Sequence, residues 1–121
     1  MDERILKWLY DVWFSLEEIE DFLKEYKVET FLDYRSHLII KRAIERNLEI
    51  IGEAIKRILN QDALLENRIS QTKAIIALRN QVIHAYDNIS DEIIWSILIH
   101  HLPILKYEIG ILLGKESGVK D

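Results

Sequence analysis

The chain contains no cysteine, which removes disulfides, thiolate nucleophiles, zinc fingers and iron–sulfur clusters and agrees with a reducing compartment. One proline and four glycines in 121 residues exclude collagenous and low-complexity classes. No apolar stretch approaches the roughly 18 residues of a membrane span. Asp2 and Glu3 stand where a signal peptide would carry basic residues, so the expectation is a soluble, cytoplasmic protein. Glycine-rich phosphate loops and a Gly-x-Ser-x-Gly elbow are also missing, leaving nucleotide hydrolysis by those routes without support. Of the four histidines, none has an H-E-x-x-H partner, and the adjacent His100 and His101 point about 100° apart on a helix. Neither a metal site nor a cofactor is expected.

What is present is a globular composition, 49% apolar and 31% charged, at a length that fits one domain over residues 1–121. The net charge of −5 is unevenly spread: residues 1–34 carry four basic and ten acidic side chains, residues 35–79 nine and five, and residues 80–121 three and six. Only the middle of the chain is basic.

The apolar residues recur at helical period throughout. Ile5, Leu9, Val12, Leu16, Ile19 and Leu23 form one stripe of a long first helix. Leu6, Trp8 and Trp13 lie off that stripe, which suits either a wide core face or contact with a second subunit. After a break at Lys27–Glu29, Thr30-x-x-Asp33 resembles a capping box. The second helix it opens is buried through Ile40, Ile44, Leu48, Ile51, Ile55 and Ile58. Gly52 lies inside this helix at a cost of about 1 kcal/mol against alanine, and the close approach of another helix is its expected reason.

A connector with one short helix follows. A third helix is then predicted from a Ser70 cap to about Tyr86 through Ala74, Ile75, Ala77, Leu78, Val82 and Ala85. Asp87-Asn88 ends it, and Ser90-Asp91-Glu92 caps the last helix, which Pro103 kinks or breaks before Gly114. Nothing reads as a strand. The fold class is all-α, an antiparallel bundle of four main helices with one possible short helix.

The densest polar cluster is Arg79-Asn80-Gln81-Val82-Ile83-His84-Ala85-Tyr86-Asp87. Asn80 and His84 share a helix face, so the amide can orient the imidazole, while Arg79 is roughly 140° around and 7.5 Å along from His84. A proton-moving imidazole beside a phosphate-gripping guanidinium supplies two of the groups that metal-free RNA cleavage needs. An acid for the departing 5′-oxygen is missing from a single copy, and pairing two chains about a two-fold axis would supply it. The alternative reading is structural: an Arg in a surface ion pair and a His suited to a helix C-terminus. His37, His100 and His101 read as helix-surface or half-buried residues.

Arg79-Asn80-x-x-x-His84-Ala85-Tyr86 resembles the Arg-x4-His-x-Tyr signature of HepT-like HEPN proteins, the toxins of HepT/MntA toxin–antitoxin pairs. Ile50-Ile51-Gly52-Glu53-Ala54 and Ile94-Trp95 through Leu102-Pro103 extend the likeness over most of the chain, although many relatives carry glycine at the position of Ala85. The resemblance implies a homodimeric helical bundle that cleaves RNA without metal at a composite interface site. Arg79 and His84 would be catalytic and Asn80 supporting. It also implies a minimal nucleotidyltransferase antitoxin, MntA-like, that silences the toxin by AMPylation of Tyr86. A second reading is a non-catalytic subunit that holds a nucleotide or substrate for such a nucleotidyltransferase.

Overall fold

The computed structural model of the chain describes residues 1–84 and 90–115, His84 by its backbone alone. Among the described residues six α-helices run in order: α1 (Glu3–Glu25), α2 (Phe31–Ser36), α3 (Leu38–Gln61), α4 (Thr72–His84), α5 (Asp91–His100) and α6 (Leu102–Leu112), with a 3₁₀ turn at Ala63–Asn67 between α3 and α4. Among the described residues there is no strand. The all-α expectation is therefore met, with two of its four long helices divided.

The first division is at His37, whose backbone leaves the helical region. Its Nδ1 accepts the amide of Ile40 at 3.3 Å, so the imidazole caps α3. The second is at His101. Pro103 sits in the first turn of α6, where a missing N–H costs nothing because that donor would have no intrahelical partner.

The caps are those the sequence encodes. Thr30 Oγ1 accepts from Asp33 N at 3.1 Å, and the Asp33 carboxylate returns bonds to the amides of Glu29 and Thr30. Those two backbone bonds hold the Asp33 carboxyl below its ordinary range. Ser90 caps α5. Gly114, at φ 76°, ends α6 in a Schellman arrangement, with Lys115 N bonded to Gly110 O at 2.7 Å and Gly114 N to Ile111 O at 3.0 Å. Helix α4 departs from expectation: it begins at Thr72, and the amide of Ser70 is satisfied instead by Glu108 Oε1 at 3.0 Å from α6.

The core is one cluster centred on α3. All six stripe residues of that helix are buried, together with Ile5, Leu9, Val12, Leu16 and Ile19 of α1 and Ile75 and Leu78 of α4. Helix α1 covers one side of α3 and α4 another. Helices α5 and α6 close the remainder through Ile94, Leu98, Leu102, Leu105 and Ile109. Near the α2–α3 end, Lys41 Nζ meets Asp91 Oδ2 at 3.0 Å in a half-buried pair that ties α3 to the start of α5.

Tyr34 of α2 is fully buried beside Trp95, and its hydroxyl has no hydrogen-bond partner among the described residues. Burial, with the charges of Glu45 and Asp91, pushes that phenol well above the ordinary tyrosine range. An orphan buried hydroxyl costs stability, so Tyr34→Phe should raise the melting temperature, by up to about 1 kcal/mol of stability. The unfolded chain ionises Tyr34 near pH 10 and the folded chain resists doing so. Native stability that is present below that pH is thus lost as pH rises beyond it, and Tyr34→Phe should flatten the loss. Thermal unfolding followed by circular dichroism across pH 7 to 11 measures both effects.

Candidate functional site

The site is built on the contact between α3 and α4. Gly52 faces α4 so closely that a Cβ placed there would overlap the Cβ of Arg79 and lie 2.6 Å from its Cγ. The arginine stem therefore occupies the volume that any other residue at position 52 would fill. This is the close helix approach expected of a mid-helix glycine, and its occupant is the candidate catalytic arginine.

From that seat the guanidinium is fixed at two points. Nη2 donates to Oε1 of Glu53, the residue after Gly52 on α3. Nη1 donates to Oδ1 of Asn80 at 3.0 Å. Nε is buried without a partner among the described residues. The side chains of Arg79 and Glu53 are only 17% and 33% exposed, so this ion pair is far less screened than the surface pairs around it. Glu53 is also shared: its Oε2 accepts from Arg57 Nε at 3.1 Å. One carboxylate thus bridges two guanidiniums.

A groove of about 330 Å³ opens on this cluster. Trp8 and Asp11 of α1 form one wall, Arg46, Glu49, Ile50, Glu53, Ala54 and Arg57 of α3 the floor and rim, and Arg79 the far end. Each acid in it is matched by a cation: Asp11 by Lys7 at 2.9 Å, Glu49 by Arg46 at 3.1 Å, and Glu53 by Arg57 and Arg79.

Of the sequence-predicted site residues, the structure brings Arg79 and Asn80 into direct contact. The bond runs from the guanidinium to the amide, which gives Asn80 an orienting role toward Arg79. His84 is the last residue of α4, five positions beyond Arg79. Tyr86 lies outside the described residues. His37 caps α3, His101 Nδ1 lies 2.6 Å from Gln71 Oε1, and His100 is exposed. Among the described residues no group of three or more potential ligands could hold a metal ion, and no helix is long and apolar enough to cross a membrane. Sequence reasoning read Trp8 only as an off-stripe apolar residue and gave Glu53 no part in the site. The signals for Glu53 were its place after the mid-helix glycine and in the family-like stretch Ile50–Ala54.

Comparison with known proteins gives the family of the chain. The family profile described as "Ribonuclease HepT-like" matches residues 15–110. A Thermococcus cleftensis protein named "Probable ribonuclease HepT" is 34% identical over 100 residues, 82% of this chain and 86% of that protein. A Methanocaldococcus jannaschii protein named "Putative RNase MJ1380" is 33% identical over 113 residues, 93% of this chain and the whole of that protein. A Caldanaerobacter subterraneus protein named "Putative RNase TTE0752" is 31% identical over 102 residues, 84% of this chain and 90% of that protein. No solved structure gives a significant match.

The Gly52 contact makes a prediction with an unusual sign. Replacing an open mid-helix glycine by alanine gains about 1 kcal/mol. Here the added methyl must push α3 and α4 apart or displace Arg79, and overpacking of this kind costs about 1–3 kcal/mol. Gly52→Ala should therefore lower the melting temperature, as read by calorimetry or circular dichroism.

Proposed function

The chain belongs to the HepT-like ribonuclease family, and from that premise we propose that it is a metal-independent endoribonuclease whose active site forms between two copies. In this reading residues 1–121 are a single HEPN-like domain acting in the cytoplasm. Arg79 and His84 are the catalytic pair, and Asn80 is the supporting residue. The observation that carries the proposal is the clamped guanidinium. Arg79 is held by Glu53 and Asn80 one and a half turns before His84 on the same helix, a preorganised cation on the helix that also carries a residue able to move protons.

The chemistry is in-line transesterification. One imidazole removes the proton of the ribose 2′-hydroxyl, and the freed oxygen attacks phosphorus. The P–O5′ bond breaks, and the leaving 5′-oxygen takes a proton from an acid. The products are a 2′,3′-cyclic phosphate and a 5′-hydroxyl. Arg79 offsets the charge that grows on the non-bridging oxygens in the transition state. A single chain supplies one His84, so base and acid together require the partner's copy. Support for that pairing comes from the α4 surface: Lys73, Ala77, Asn80 and Gln81 are all exposed within one chain, leaving that face open to a second molecule.

Family resemblance adds the regulation. The protein would be the toxin of a HepT/MntA-type, type VII-like pair, and Tyr86, two residues after His84, would be AMPylated by an MntA-like nucleotidyltransferase antitoxin. Each adenylyl group adds a phosphate charge and bulk beside the cleft, which repels and blocks an RNA phosphate.

His84→Ala and Arg79→Ala should each reduce cleavage of single-stranded RNA by about 10²–10⁴-fold. Wild-type cutting should persist in a chelator and leave 2′,3′-cyclic phosphate ends, which mass spectrometry of the products detects. Undiminished cutting by His84→Ala would remove the assignment. A chain whose expression leaves growth unaffected would point instead to a nucleotide-binding subunit.

A further inference from the structure

The lining of the groove that ends at Arg79 has two distinct parts. Trp8, Ile50 and Ala54 give it an apolar side; Arg46 and Arg57, with side chains 69% and 56% exposed, stand on its rim. An aromatic surface with exposed guanidiniums around it matches the chemistry of a nucleotide, a flat base on one side and a phosphate on the other. At about 330 Å³ the groove is at the small end of ligand-binding clefts.

We propose that this groove is a substrate subsite for the nucleotide adjoining the scissile phosphate of single-stranded RNA, with Trp8 as the stacking platform for its base and Arg57 and Arg46 as the grips on its phosphate. The proposal rests on the ribonuclease reading above. Continuity with the catalytic arginine is direct, because Glu53 binds Arg57 through one oxygen and Arg79 through the other. A nucleotide seated on Trp8 would thus place its neighbouring phosphate toward Arg79. The acids of the groove do not seal it: Glu49 and Asp11 sit in exposed pairs with Arg46 and Lys7, and such pairs are weak and exchange readily for a phosphate oxygen. Arg57 and Arg46 are also part of the one basic stretch of the sequence, residues 35–79.

A second aromatic groove provides the internal comparison. On the other side of α1, Trp13 has Lys106 Nζ at 5.0 Å and Lys115 Nζ at 5.2 Å from its ring centre. Lys106 is held there by Glu20 at 2.6 Å, and neither lysine lines the groove that ends at Arg79.

The test measures kcat and KM of the full chain on a short single-stranded RNA, with binding read by fluorescence anisotropy in the uncleaving His84→Ala background. Trp8→Leu keeps an apolar wall but removes the π face, and should raise KM and Kd about tenfold with kcat changed less than about twofold. Trp8→Phe should recover most of the loss. Arg57→Gln, at an exposed position that does not threaten folding, should raise KM and reduce the salt dependence of binding by about one phosphate contact. Lys106→Gln should leave both constants unchanged. If Trp8→Leu and Arg57→Gln bind and cleave RNA as the wild type does, the subsite is overturned and the ribonuclease reading stands. If the wild type itself neither binds nor cuts RNA, the ribonuclease reading falls and takes the subsite with it.

Discussion

Everything polar at this site depends on one steric fact: α3 has no side chain at position 52. The missing Cβ lets the Arg79 stem lie against the α3 backbone. Glu53, the next residue of α3, is then within reach of the guanidinium. A longer separation would leave Arg79 as an ordinary solvated arginine, free to lose about 2 kcal/mol of rotamer entropy on meeting a phosphate. Here that ordering takes place on folding, and a group already in position when charge develops is worth more than one that must be recruited. The arrangement has a local cost, since Nε is buried without a partner among the described residues.

Much of this was legible in the sequence because it is local. The stripe Ile40-Ile44-Leu48-Ile51-Ile55-Ile58 repeats at helical period, and every member is buried. Thr30 and Asp33 are three apart, so both halves of their capping box can be read from the chain. Gly52 was legible as a close approach, since a mid-helix glycine needs a reason. What occupied the approach was not legible, because Glu53 and Arg79 are 26 positions apart and only the packing of α3 on α4 brings them together.

The misread elements fail for the same reason. Position 37 looks like one more residue of a continuous helix, yet tertiary packing turns the chain there, and an imidazole caps the next segment as Ser or Asp more often does. Ala77 fits the apolar spacing of α4 but is exposed, because that helix packs on α3 through the narrower pair Ile75 and Leu78. Of the nine basic residues in the central stretch, three are paired within α3: Arg42 with Glu45, Arg46 with Glu49 and Arg57 with Glu53. Net charge thus says less about RNA attraction than the few guanidiniums that face the groove.

On the proposed reading, the Glu53 carboxylate bound to Arg79 works against phosphate binding, and its contribution to catalysis is positional. A phosphodiester carries one negative charge in the ground state, and the phosphorane-like transition state carries close to two. Arg79, partly compensated by Glu53, attracts the first weakly. The second draws more strongly on the same guanidinium, whose remaining N–H donors stay fixed by the two bonds to Glu53 and Asn80. Only the difference between those two attractions accelerates the reaction. In the proposed mechanism Glu53 weakens the guanidinium's pull on both charges and so gives up part of that difference, but it holds the guanidinium in place before the second charge develops, which spares the ordering that a free arginine would undergo at each turnover. RNA affinity then falls to the exposed cations and the tryptophan of the proposed groove subsite.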